Sequence, residues 1–187
     1  FVLTPAMDNL CHITATGPLG SQWMGATLTC NSVHTCQHLF VETGAVEATL
    51  TFKGVEYILK RSDFVLVGRD WVKCPRPAGI VLDTTLYTSA TSVGAQVMLV
   101  YLKRNDNGTF DKKSNHNRVK SVRTDIGDEK AYANYSSENG ACGSPVININ
   151  GHMVGIHTAG SGVDTIFTPV TRAIIGKIGG AIAAESF

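Results

Sequence analysis

Read for its apolar positions, the chain is a series of short runs separated by turn residues. "MGATLTC" (24–30), "AVEATLTF" (45–52), "VEYILK" (55–60), "DFVLVG" (63–68), "AQVMLVYLK" (95–103), "RVKSVRT" (118–124), "PVININ" (145–150), "HMVGIHTA" (152–159) and "TIFTPV" (165–170) are of this kind. Several alternate apolar and polar residues with period two and are rich in Val, Ile and Thr, the pattern of a half-buried strand. "FKG", "NDNG" and "NING" supply turns, the last joining two runs as a hairpin. Helical spacing is confined to the ends: Thr4 to Leu10 predicts a short helix. After Pro169, Val170, Ile174, Ile175 and Ile178 fall near one helical face of "TPVTRAIIGKIGGAIA", interrupted by three glycines. The expected fold class is therefore mainly β, with short terminal helices. The one break in composition is Lys73 to Gly79, where two prolines and a glycine cannot continue a central strand. It divides the chain into a half at 1–73, a linker at 74–79 and a half at 80–187, each a small antiparallel barrel or sandwich, with any site in the cleft between them.

Composition narrows the class. The 187 residues, 43% hydrophobic and 17% charged, are those of an ordinary globular chain long enough to bury a core. No apolar run approaches the roughly 20 residues that span a bilayer, and no signal peptide opens the chain, so a soluble protein is expected. Five cysteines at irregular spacing (Cys11, Cys30, Cys36, Cys74, Cys142) make an odd number, which favours a reducing compartment over a disulfide framework. A start at Phe1 suggests excision from a longer precursor, with a trimmed chain as the alternative. Charge is uneven: Lys103 to Arg123 carries +5, and the remainder −4.

The chemistry concentrates in "SENGACGSPVINING", 137–151, where a single thiol stands among glycines. A buried structural cysteine needs no such surroundings. Glycines permit a tight turn that exposes a nucleophile and leave backbone N–H groups free to face an oxyanion. Cys142 is thus the candidate nucleophile, and the other four cysteines read as structural. A thiol needs a base with a pKa near neutrality, which points to the six histidines. His38 closes the segment "LTCNSVHTCQHLF", and His34 is its rival. An acid should orient the imidazole: Asp63 heads the β-branched run "DFVLV" 25 residues later, with Glu56 and Asp70 as alternatives. Cys30, His34, Cys36 and His38 lie within nine residues, but their spacing is not a usual zinc spacing, and no metal is expected.

The order His, Asp, Cys, with the nucleophile in "GACGSP" (140–145) followed by "GIHTAG" (155–160), resembles the 3C and 3C-like cysteine proteases of positive-strand RNA viruses, the picornavirus and calicivirus type. "TCQHLF" has the shape of the loop that presents the general base in chymotrypsin-like enzymes, and "DFVLV" that of the strand supplying their triad acid. The resemblance covers 38–171. Ala141 replaces the acidic or amide residue often found before the nucleophile, and Ser137 stands where the family usually has a pocket threonine.

The resemblance implies a chymotrypsin-like two-barrel fold with His38 and Asp63 on the first half and Cys142 on the second. The N–H groups of Gly140 and Cys142 would form the oxyanion hole. His157 and Ser137 would recognise glutamine or glutamate before the cleaved bond, and the substrate peptide would add a strand along His157, Thr158, Ala159 and Gly160. It further implies polyprotein processing in the host cell cytoplasm, with no cofactor. The basic segment leaves an alternative from another class: a protease-like scaffold serving as an RNA-binding module of a replication complex.

Overall fold

The computed structural model describes residues 1–125, 128–133, 140–161 and 164–183, with the backbone alone described at 116–120, 123–125, 128–129, 161 and 164. Helix α1 (Thr4–Asn9), with Pro5 in its first turn, leads into strands β1 (Leu10–Gly17), β2 (Gly20–Leu28) and β3 (Ser32–Cys36). Helix α2 (His38–Thr43) follows, then β4 (Glu47–Phe52), β5 (Val55–Lys60), β6 (Val65–Gly68) and β7 (Trp71–Pro75). These seven strands form one antiparallel sheet in the order β5-β4-β1-β2-β3-β7-β6. The second half contains β8 (Gln96–Arg104), β9 (Phe110–Asp125), β10 (Asp128–Ala133), β11 (Pro145–Ile147), β12 (Met153–Ser161) and β13 (Asp164–Pro169), closed into a barrel in the order β10-β13-β12-β11-β8-β9. Among the described residues, no helix is long and apolar enough to cross a membrane.

Two strands show how patterning became packing. On β4 the alternation places Ala48, Leu50 and Phe52 in the core, while Glu47 is exposed. On β8 the run "VMLVYL" is apolar throughout because both faces are covered. Val97, Leu99 and Tyr101 join the core of the second barrel, and Met98, Val100 and Leu102 join a core continuous with the first. Each such buried side chain stabilises the fold by about 1.5–3 kcal/mol, so β8 holds the two halves together as well as building one of them.

The turns follow their residues. Lys53 and Gly54 both take positive φ (50° and 77°) and join β4 to β5 as a two-residue hairpin loop. Asn148 Oδ1 accepts from the N–H groups of Asn150 (3.0 Å) and His152 (3.1 Å), shaping the "NING" turn between β11 and β12.

Three expectations need correction. Strand β7 continues through Cys74 and Pro75, the latter pairing with Ser32 at the strand's last position, where its missing N–H costs little. The irregular connection therefore runs from 76 to 95 and not from 74 to 79. Strands β1, β3, β7 and β10 lie outside the nine apolar runs; β3 escapes that pattern because its polar residues are buried with its apolar ones, all five residues (Ser32 to Cys36) being buried. After β13 no α-helix forms among the described residues. A turn and one 3-10 turn (Ile175–Lys177) bury Ile175 and Ile178. Glycine costs about 1 kcal/mol per helical position, and Gly179 takes φ +76°, which ends any helix there.

Candidate active site

The nucleophile turn is built by glycines that nothing else can replace. Gly140 (φ +88°) lies against the Trp23 indole, and Gly143 (φ +81°) against the Gly25 carbonyl, so a Cβ at either would collide as well as strain the backbone. Gly25, in the middle of β2, donates its N–H to the carbonyls of Cys142 (2.8 Å) and Gly140 (3.1 Å). Thr27 Oγ1 donates to the Gly143 carbonyl (2.9 Å), and Thr35 Oγ1 to that of Gly25 (3.0 Å). The first barrel thus grips the turn that carries Cys142. Among the described residues, no acceptor in the protein takes the N–H of Gly140 or Cys142, which leaves both donors for an incoming oxygen.

His38 opens α2 immediately after β3. Its Nδ1 donates to Asp70 Oδ2 at 2.6 Å, and its backbone N–H to Asp70 Oδ1 at 2.8 Å. The two side chains are about a quarter exposed, 25% and 26%. On its other side the imidazole lies close enough to the Cys142 thiol for each to shift the other's titration. The bond to Asp70 and then the nearby Cys142 push the His38 pKa up to about 10, against the opposing effect of burial. The Cys142 pKa is pulled down to about 6, first by Cys36 and then by His38, with burial again opposing. Between these values the pair is a thiolate beside an imidazolium, the ionisation state in which a thiol is nucleophilic.

The acid is therefore not the expected one. Asp63 lies exposed on the 3-10 turn Arg61–Asp63, where its charge is felt by Cys74 and not by His38. Asp70 occupies the two-residue loop between β6 and β7 with φ +52°, a left-handed conformation that aspartate tolerates better than most residues. Its carbonyl also accepts from Gln37 N–H at 3.1 Å. A lone acid in a "GRDW" turn was the available signal, outweighed by the strand-like run after Asp63.

The other candidates divide. His34, the rival base, is fully buried: its Nδ1 accepts from Trp71 Nε1–H (3.0 Å), and its Nε2 faces Thr29 Oγ1 (2.9 Å). Cys30 Sγ faces the Gly179 carbonyl at 3.9 Å, so Cys30, His34, Cys36 and His38 do not converge as a metal cluster. Cys36, His38 and Asp70 do place one ligand atom each within 4.8 Å of one another, a spacing able to admit a thiophilic cation.

His157, 2% exposed on β12, donates its N–H to the Ser144 carbonyl (2.9 Å). Burial, then the charge of His38, lowers its pKa to about 4, so it is neutral at pH 7. Beyond the Pro145–Ile156 pair, β12 loses β11 as a partner, and Ala159 and Gly160 lie exposed. Among the described residues no strand pairs with this edge of β12 from Thr158 to Gly160. Ser137 lies outside the described residues. In the basic segment, Lys112 Nζ donates to the Met7 carbonyl on α1, while the side chains of Arg118 and Lys120 are not described.

Comparison with solved structures identifies the architecture. The chain superposes on tobacco etch virus protease in complex with product at a TM-score of 0.76, covering 94% of this chain and 79% of that one, with 17% identity. The fold is that of the chymotrypsin-like proteases. Tobacco vein mottling virus protease matches at 0.76 over 100% of this chain and 87% of its own, with 15% identity. The serine protease of a human pathogenic astrovirus matches at 0.64 over 93% and 95%, with 14% identity. No protein-family model matches the chain, and no curated protein sequence does. His38 and Asp70 come from the first half and Cys142 from the second, where the turn at Cys142 packs on β2.

Proposed function

We propose that the chain is a viral cysteine endopeptidase that cuts a polyprotein after glutamine, acting in the host cytoplasm. The observation that carries this reading is the line Asp70–His38–Cys142, with the N–H groups of Gly140 and Cys142, which no acceptor among the described residues takes, beside it. His38 holds the thiol proton, and the Cys142 thiolate attacks the scissile carbonyl. The N–H groups of Gly140 and Cys142 receive the oxyanion. The imidazolium then protonates the leaving amine, and the same imidazole draws a proton from water to hydrolyse the thioester. Asp70 fixes the imidazole and stabilises its charge. No cofactor is needed for any of these steps.

Substrate lies extended along Thr158, Ala159 and Gly160, adding a strand to the open edge of β12. His157 receives the residue before the cleaved bond, and the resemblance gives Ser137, outside the described residues, the same role. Because His157 is neutral at pH 7, it donates a hydrogen bond but supplies no charge to attract glutamate, which favours the amide of glutamine. RNA binding draws no support from Lys112, whose ammonium is already engaged at α1.

A peptide library cleaved by the parent and by Cys142→Ala tests the reading. The parent is expected to cut after glutamine and the variant not at all. Parental turnover by Cys142→Ala, or equal cutting after leucine, overturns it.

A further inference from the structure

The peptidase reading leaves Cys36 unused, and the structure gives this thiol an unusual position. It is 0% exposed, two residues before His38, and it neighbours the Cys142 thiol closely enough for each sulfur to shift the other's titration. The two sulfurs lie against consecutive carbonyls of β12: Cys36 Sγ is 3.3 Å from the His157 oxygen, and Cys142 Sγ 3.4 Å from that of Thr158. Their backbones converge too. The N–H of Gly143, next to Cys142, donates to the same His157 carbonyl at 2.8 Å. Thr35, next to Cys36, meets Gly143 at the Gly25 carbonyl. All five cysteines are reduced.

We propose that Cys36 and Cys142 form a reversible disulfide when the protein meets a peroxide, with Cys142 as the attacking thiol and Cys36 as the resolving one. The Cys142 thiolate attacks one peroxide oxygen and breaks the O–O bond. The hydroxide released takes a proton to become water, and Cys142 becomes a sulfenic acid. Cys36 sulfur then attacks the Cys142 sulfur, and the sulfenic oxygen leaves as a second water carrying the Cys36 proton. Two thiols are oxidised and one peroxide is reduced to two waters. A dithiol reductant reverses the bond by exchange.

The asymmetry of the pair sets this order. Cys142 is the partly exposed, thiolate-forming member, while burial keeps Cys36 protonated and out of reach of solvent. The oxidant therefore meets Cys142 first. A second thiol beside it, held against the adjoining carbonyl of β12, then captures the sulfenic acid before further peroxide carries it to sulfinic acid, from which a dithiol cannot return it. None of this requires a peptide substrate, so the proposal stands or falls apart from the peptidase reading.

The test treats the reduced protein with hydrogen peroxide in the absence of thiols, blocks remaining thiols with an alkylating agent and maps the digest by mass spectrometry. The expected product is a Cys36–Cys142 linked peptide pair lighter by two hydrogens, two of the five thiols lost, and both restored by dithiothreitol. In Cys36→Ser the link is absent, and Cys142 proceeds to sulfinic acid that dithiothreitol does not reduce. The proposal is overturned if parental Cys142 becomes sulfinic while Cys36 stays alkylatable, if Cys142 resists oxidation, or if it pairs with another cysteine. Mapping of the parent alone decides among these, so the result does not depend on whether Cys36→Ser folds.

Discussion

His34 and His38 stand four residues apart, one in the interior of the first barrel and one in the cleft, and they are driven to opposite protonation states. Burial holds His34 down to about 3, while Asp70 and Cys142 push His38 up to about 10. His34 is wholly removed from bulk water and His38 largely so. What differs is the charge of their partners: a tryptophan N–H and a threonine hydroxyl around His34, a carboxylate and a thiolate around His38. Desolvation alone makes a histidine a neutral structural residue, and an anionic partner on each side makes it a stored imidazolium.

The largest way to break this comparison is to remove the carboxylate. Asp70→Asn should lower peptide cleavage by about 10²-fold, within the range of general acid–base contributions, whereas Asp63→Asn should stay within about twofold of the parent, since Asp63 does not touch His38. Steady-state rates on one glutamine peptide check both. Reversed effects would restore Asp63 as the acid.

Next in size is the His34 side. Trp71→Phe leaves the buried His34 Nδ1 without its donor, which should cost about 1–3 kcal/mol in urea unfolding. Its effect on cleavage should be much smaller than that of Asp70→Asn, because His34 carries no chemistry. A variant as stable as the parent would show that the bond from Trp71 contributes nothing.

The two histidines should also give opposite slopes of stability against pH. His34 has a folded pKa below its unfolded value of about 6.5, so its contribution is present above that value and is lost as pH falls toward about 3. His38 has a folded pKa above the unfolded value, so its contribution is full below about 6.5 and is lost as pH rises through about 10. Urea midpoints of the parent and Asp70→Asn from acid to alkaline pH read both limbs. Asp70→Asn should flatten the alkaline limb and leave the acid one unchanged.

The smallest effect sharpens the role of burial. Lys53 and Asp83 form an ion pair at 2.7 Å, as close as His38 and Asp70, but both side chains are more than half exposed. Lys53→Met should change stability by no more than about 0.5 kcal/mol, measured by the same urea midpoint. A larger loss would mean that proximity of opposite charges matters more than their distance from water.

What could be read from the chain alone was local. The glycines of "GACGSP" announce a strained turn because positive φ and close backbone approach are properties of single residues, and Gly140 and Gly143 show both. Period-two alternation identified β4 and β5, since a strand face is set by neighbouring residues in sequence. Strand pairing decided the rest. Cys36 pairs with Trp71, which brings the preceding Asp70 to the start of α2. Because β6 runs antiparallel to β7, the head of β6, where Asp63 stands, lies at the far end of the same ladder. No spacing in the sequence distinguishes those two acids. Cys36 likewise reads as a buried structural thiol until β3, the nucleophile turn and β12 pack together and bring two sulfurs to consecutive carbonyls. Residue type and near neighbours determine which groups can react. Which of them meet is set by hydrogen-bonded register across more than a hundred residues of chain, a quantity that exists only once the barrels have closed.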